Sequence, residues 1–189
     1  SIAELVSIYS QSIKELKKRG VLRTKNVVGE LGEYIVLEHY DKNPNLPNLN
    51  VVPVGTKNIN AVSQNGERYS IKSTTGNVTG VIYGLQPLGS NTPDKPLFEY
   101  MAICKLDGDY SLEGIYQLSW DNFLKHKKWH SRMNAWNVAV TKAMKEDGII
   151  FDEPIQGFRV VAKKLPFEYV GEIKESIPGQ LSFKDAFAK

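Results

Sequence analysis

Residues 58–75 read Asn-Ile-Asn-Ala-Val-Ser-Gln-Asn-Gly-Glu-Arg-Tyr-Ser-Ile-Lys-Ser-Thr-Thr. The Asn-Gly pair at 65–66 separates two short runs of strand-forming residues and predicts a β-hairpin, because both residues tolerate a positive φ. A two-residue loop would mix polar and apolar side chains on both faces. A three-residue loop, Gln64-Asn65-Gly66 with Gly66 left-handed, pairs Asn60 with Ser70 and separates polar from apolar positions. We therefore predict the three-residue loop, with Asn60, Ser70 and Lys72 on one face of a sheet.

The elements around this hairpin follow from periodicity and caps. Apolar residues at helical spacing predict helices at 2–19 and 27–40, and capping residues predict shorter helices at 119–124 and 142–147. Residues 135–140 fit a strand or a helix equally. Runs rich in β-branched and aromatic residues predict strands at 51–54, 59–63, 68–73, 78–83, 98–106, 113–118 and 158–162. This order indicates an α/β (α+β) fold in which helices flank a mixed central sheet.

Composition limits the class of protein. The 189 residues are 41% hydrophobic and 24% charged, which predicts one globular domain over 1–189. Within it, 1–40 would hold the N-terminal helices, 58–75 the functional hairpin and 119–147 a nucleic-acid-contacting region. The net charge of +3 permits an anionic partner but excludes a polybasic binder. The single cysteine excludes an internal disulfide framework and a multi-cysteine zinc site.

We expect no targeting or membrane-spanning segment from this sequence. No apolar run approaches the ~18 residues that span a membrane, and the N-terminus lacks the pattern of a signal peptide. We therefore expect a cytoplasmic protein with no membrane partner.

The hairpin resembles the catalytic hairpin of the PD-(D/E)XK nucleases, which share the restriction-endonuclease-like fold. In that family an Asp opens one strand, and the next strand carries Glu or Gln, any residue, and then Lys. Lys72 matches this lysine, whereas Asn60 stands at the Asp position and Ser70 at the Glu/Gln position. Upstream, Gly29-Glu30-Leu31-Gly32-Glu33-Tyr34 resembles the helix that precedes the hairpin and carries a metal-facing Glu. We favour Glu33 for that role, with Glu30 second.

This resemblance implies a Mg²⁺-dependent endonuclease that hydrolyses double-stranded DNA. A separate chain of this size resembles a type II restriction enzyme of a bacterial or archaeal cell. Such enzymes act as homodimers, because cutting both strands of a two-fold site needs two active sites. The implied Mg²⁺ ligands are Asn60, Glu33 and Ile71, the last of which offers only its main chain. The implied catalytic set is Lys72, which would orient water and stabilise the scissile phosphate, with Asn60, Ser70, Glu33 and Glu30.

Asn60 weakens that expectation. A carboxamide matches a carboxylate in shape but lacks its charge, and one unit charge at ~4 Å is worth about 4 kcal/mol at an effective dielectric constant near 20. We therefore expect weak metal binding and slow cleavage, whether the Asn was introduced or is natural. Asn60 and Ser70 both favour the alternative of a catalytically inert nucleic-acid-binding module with the same fold. A third possibility is an oligomeric structural protein that uses the sheet as an interface.

Two further groups have the chemistry of nucleic-acid contacts. Small polar residues follow Lys72 and suit hydrogen bonds to the backbone or to base edges, namely Ser73, Thr74, Thr75 and Asn77. Basic residues surround Trp129 and suit phosphate contacts beside base stacking, namely Lys125, Lys127, Lys128, His130 and Arg132. A solvated helix end explains the second group equally well.

Overall fold

The computed structural model describes residues 1–151. These residues belong to one compact unit, Ser1–Phe158, while a second unit, Arg159–Lys189, lies outside the described residues. The predicted strand at 158–162 lies outside them too, so the single domain over 1–189 stays a prediction. Helices in the described part are α1 (Ile2–Lys18), α2 (Val27–Lys42), α3 (Trp120–His126) and α4 (Lys142–Gly148), with a 3₁₀ turn at Ser131–Met133. Its strands are β1 (Leu49–Val51), β2 (Ala61–Ser63), β3 (Arg68–Thr74), β4 (Tyr100–Leu106), β5 (Leu112–Ser119), β6 (Lys127–His130), β7 (Ala135–Val138) and β8 (Ile149–Phe151).

Six strands form a mixed central sheet in the order β1-β2-β3-β4-β5-β8. Among the strands of residues 1–151, only the neighbours β3 and β4 run parallel, so the long connection between them crosses over the sheet. Alternate residues of β4 face opposite cores, because strand side chains alternate between faces. Ala102 and Cys104 pack with α2, whereas Met101 and Ile103 pack with α3 and α4. The predicted α/β fold with helices flanking a mixed sheet is confirmed.

The hairpin has the predicted register. Ala61 pairs with Tyr69, and Ser63 N donates to the Glu67 carbonyl at 2.9 Å around the three-residue loop. Gly66 adopts the left-handed conformation with φ 83°. The regular ladder ends at the pair of Ala61 with Tyr69, because Asn60 N also donates to the Tyr69 carbonyl, at 2.8 Å, and the predicted pairing of Asn60 with Ser70 is not part of the ladder.

Two strand predictions need correction. The strand predicted at 51–54 is shifted to Leu49–Val51, because the chain turns at Pro53, whose carbonyl accepts from Thr56 N at 3.1 Å. The segment predicted as a strand at 78–83 makes only two isolated bridges, Val78 to Ala139 and Ile82 to Trp136. Its partner is therefore β7, which settles the ambiguous 135–140 region as a strand. β6 and β7 form a separate two-stranded sheet, called here the small sheet.

Helix α2 lies unusually close to the central sheet at Gly32. A Cβ built on Gly32 would lie 2.0 Å from Ser73 Oγ and 3.3 Å from Cys104 Cβ, so any side chain there would force the layers apart. Overpacking of this kind costs about 1–3 kcal/mol. Because Gly32 lets α2 lie close to the sheet, the next residue, Glu33, is within hydrogen-bonding distance of the hairpin.

None of the helices within residues 1–151 is long and apolar enough to cross a membrane.

Candidate functional site

A cleft of about 420 Å³ opens where the first half of α2 meets the β2–β3 hairpin. We call it the hairpin cleft. Its walls also include the connection before α2 and the loop between β1 and β2. The structure brings every predicted catalytic or metal-binding residue except Ser70 to this one place, together with Ser73; these residues are Asn60, Lys72, Ile71, Glu33, Glu30 and Ser73.

Asn60 is held through both ends of its carboxamide. Its Nδ2 donates to Glu33 Oε2 at 3.0 Å, and its Oδ1 accepts from the main-chain N–H of Ile71 at 2.9 Å. The side chain therefore bridges the helix and the neighbouring strand. A carboxylate here would keep the bond to Ile71 but would place a second negative oxygen against Glu33.

Arg23, which the sequence analysis did not select, completes this cluster. Its Nη2 donates to Glu33 Oε1 at 2.7 Å, and its Nε lies 3.7 Å from Glu30 Oε1. The main-chain N–H groups of Arg23 and Thr24 both donate to Glu30 Oε2. The sequence offers one signal for Arg23, which is a basic residue shortly before a helix that carries acidic residues in its first turns. This pattern is common, and it does not predict that the loop before α2 returns to the glutamates.

Ser70 does not belong to the cleft. It lies in the middle of β3, an internal strand flanked by β2 and β4, and is fully buried. Its Oγ has no hydrogen-bond partner among residues 1–151. The structure therefore does not bring Ser70 into the cleft, which opens nearer the end of the strand, and a catalytic role for Ser70 stays a prediction.

Lys72 lies on that end of the strand and lines the cleft. Within the described part of the chain its ammonium group has no hydrogen bond and no ion pair. Burial lowers the pKa of Lys72 below its ordinary value of 10.5. The charged groups of the cleft are Arg23 and Lys72 against Glu30 and Glu33, so the charges balance.

These residues, as arranged, do not fit a Mg²⁺ ion. Mg²⁺ needs an octahedral shell of oxygen atoms and is usually bound by one or two carboxylates that remain accessible. Here Asn60 Oδ1 and the Glu33 and Glu30 oxygens face donors or cations of the protein. Across residues 1–151, no three His, Cys, Asp or Glu side chains are grouped to hold a metal.

The polar residues after Lys72 divide into two kinds. Ser73 donates to the Gly29 carbonyl at 3.5 Å beneath α2, and Thr74 is buried with its hydroxyl donating to the Val78 carbonyl. Both are committed to the fold, so a role in base or phosphate contacts is not favoured for them. Thr75 and Asn77 are exposed and remain candidates.

The basic residues around Trp129 also fall into two groups, those with partners in the protein and those that are exposed without an ion pair among residues 1–151. Lys125 pairs with Asp147 at 2.6 Å, and His130 Nδ1 accepts from the main-chain N–H of Met133 at 3.3 Å. Lys127 pairs with Asp94 and lies 4.1 Å above the Trp136 ring. Lys128 and Arg132 are exposed and have no ion pair with any residue up to 151, so they keep the chemistry of phosphate contacts.

The small sheet is joined to the end of β3. Thr79 N donates to the Val138 carbonyl and Val140 N donates to the Asn77 carbonyl, both at 2.9 Å. In the chain, the exposed Thr75 and Asn77 therefore lie between Lys72 of the hairpin cleft and the point where the small sheet is attached.

Comparison with known proteins adds no relative. The chain matches no protein-family model and no curated protein. The resemblance to the PD-(D/E)XK nucleases therefore depends on the residues of the hairpin and of α2.

The lowered pKa of Lys72 predicts how stability changes with pH. Since the unfolded chain keeps the ordinary lysine pKa, it binds more protons than the folded chain between the two values, and stability rises with pH there. We expect Lys72→Met to raise the free energy of unfolding at neutral pH and to remove this alkaline rise. Urea denaturation between pH 7 and pH 10.5 measures it. Lys128→Met, at an exposed lysine, is the control and should leave the slope unchanged; an unchanged slope in Lys72→Met would contradict the prediction.

Proposed function

We propose that this chain is a nuclease-like protein that binds double-stranded DNA at the hairpin cleft, with cleavage lost or strongly impaired in this sequence. The observation that carries the proposal is the convergence of Asn60, Lys72, Glu33 and Glu30 on one cleft. They come from two neighbouring strands and the preceding helix. That layout resembles the PD-(D/E)XK site, with an amide in place of its main acid.

The polar surface beside the cleft suits a DNA backbone. Lys25 and Lys57 adjoin cleft-lining residues in the chain, are exposed, and have no ion pair with any residue in the described part. Thr75 and Asn77 follow, and then Lys128 and Arg132 on the small sheet. Scattered cations and hydrogen-bond donors of this kind bind phosphates without reading sequence.

Cleavage needs more than this surface supplies. Phosphodiester hydrolysis requires an activated water and neutralisation of the charge that develops on the phosphate. Lys72 can supply one positive charge. Neither glutamate is available as a base or ligand, because Arg23 and Asn60 hold them. Binding without efficient cutting is the function that this geometry supports best.

DNA binding is tested by fluorescence anisotropy with a duplex in EDTA at several salt concentrations. We expect measurable binding by the unaltered chain and a linear decrease of log K with log salt. Lys128→Glu should weaken binding to all duplexes and reduce the salt slope by about one, as for a lost phosphate contact. Lys142→Glu makes the same charge change at an exposed lysine of α4 and should have little effect. Absence of binding at low salt, or equal effects of both substitutions, would refute this surface.

A Mg²⁺-dependent endonuclease is the second candidate, and it is favoured by Lys72 and residue 60 lining the same cleft. We expect Asn60→Asp to cut plasmid DNA measurably in MgCl₂ and not in EDTA. Adding Lys72→Ala should abolish cutting while largely preserving DNA binding. An Asn60→Asp protein that binds DNA but never cuts leaves the inert binding module as the function, and persistent cutting without Lys72 removes that lysine from the mechanism.

The proposal includes a homodimer through α1. None of the residues of α1 is buried, and its apolar stripe begins with the largely exposed Ile2, Val6 and Tyr9. With Ile13 and Leu16 the stripe advances in alternating steps of four and three residues, which is the spacing of a coiled-coil seam. A second copy of the same seam fits such a stripe, and two copies match a two-fold DNA site.

Dimerisation is tested by sedimentation equilibrium of the full chain. We expect a dimer, and we expect Val6→Glu with Tyr9→Glu to convert it to a monomer because two charges would be buried in the seam. Gln11→Glu lies on another side of α1 and should stay dimeric. A monomeric unaltered chain at high concentration would rule this interface out.

A further inference from the structure

Two carboxylates lie buried side by side in the hairpin cleft. The side chains of Glu30 and Glu33 are only 8% and 11% exposed. A buried carboxylate is tolerated only when it is paired and hydrogen-bonded. In a metal-dependent nuclease site, a divalent cation meets this requirement.

In this chain the protein itself meets it. The Arg23 guanidinium contacts both glutamates, at 2.7 Å for Glu33 and 3.7 Å for Glu30. The second oxygen of Glu33 accepts from the Asn60 amide, and the second oxygen of Glu30 accepts from two main-chain N–H groups. All four carboxylate oxygens thus face a donor or a cation.

We propose that Arg23 and Asn60 together take the place of a divalent cation. The buried Glu30 and Glu33 are therefore stabilised without a bound metal ion. Arg23 supplies the positive charge, and the Asn60 amide supplies a donor at the point where an Asp would need a shared cation. The inference deepens the proposed function, since it gives the reason why that cleft would bind DNA without cutting it. It concerns only these four side chains, and its test uses no DNA.

The residue at position 60 decides whether the cluster needs a metal ion, because Asn carries no charge and Asp does. Asp would retain the bond from Ile71 but would set a carboxylate oxygen about where Nδ2 now lies, 3.0 Å from Glu33 Oε2. Two carboxylates that close cannot both stay charged without a cation or a proton between them. Asn60→Asp should therefore turn a metal-independent cluster into a metal-requiring one.

The experiment measures the Tm of the full chain by thermal unfolding and its affinity for Mn²⁺ by titration calorimetry. The unaltered protein should show the same Tm in EDTA and in MnCl₂ and no measurable Mn²⁺ binding. Asn60→Asp should lower Tm in EDTA, recover it in MnCl₂, and bind Mn²⁺ at least tenfold more tightly than the unaltered chain. Asn60→Ala, which removes the donor without adding a ligand, should lower Tm in both solutions.

Arg23→Gln provides an independent arm, because it frees both glutamates without altering residue 60. It should gain Mn²⁺-dependent stability, whereas Arg19→Gln, at an exposed pair with Glu15, should not. Tight Mn²⁺ binding by the unaltered chain would overturn the inference, and so would a folded Asn60→Asp protein with no response to Mn²⁺. If Arg23→Gln does not fold, the comparison of Asn60→Asp with Asn60→Ala still decides. Failure of DNA binding would count against the proposed function alone.

Discussion

The close contact between α2 and the central sheet at Gly32 is the constraint on which the polar cluster of the hairpin cleft depends. Ser73 and Cys104 fill the space that a side chain at residue 32 would need. Because the helix lies so near the strands, Glu33 reaches the carboxamide of Asn60 at 3.0 Å. The helix, the hairpin and the loop before the helix then share one network of buried polar groups. A longer separation of the layers would leave these groups apart and the carboxylates without partners.

That network explains how a chain with little net charge carries a buried acidic pair. Glu30 and Glu33 are stabilised by a cation and by oriented N–H donors, so their charges are balanced locally. Lys72 is different, because it lines the same cleft without such a partner among residues 1–151 and has a lowered pKa. An unpaired, partly desolvated lysine is costly for folding, and residues of this kind cluster at functional sites. In the cleft, the carboxylates of Glu30 and Glu33 are thus paired and hydrogen-bonded, whereas the ammonium group of Lys72 has no partner among residues 1–151. This arrangement suits an anion better than a metal ion.

The outer surface extends this character away from the cleft. Lys127 and Lys125 are neutralised by Asp94 and Asp147, so the basic run around Trp129 contributes fewer available charges than its composition indicates. Lys128 and Arg132 remain exposed. The segment 78–82 ties the small sheet to the end of β3 through main-chain hydrogen bonds with β7. Gly80 of this segment lines the hairpin cleft, so the segment connects the cleft with the small sheet.

Local chemistry alone determined the hairpin, its three-residue loop, the register that pairs Ala61 with Tyr69, the bounds of α2 to within two residues and the mixed α/β class. These depend on turn preferences, caps and side-chain periodicity, all of which act between near neighbours. Tertiary structure alone decided that Arg23 joins the site, that Ser70 is buried away from it, that residues 78–82 pair with β7 and that Lys125 and Lys127 of the basic cluster are neutralised. Each of these depends on contacts between segments distant in the chain, set by how closely layers pack and where loops return, and no local pattern records them.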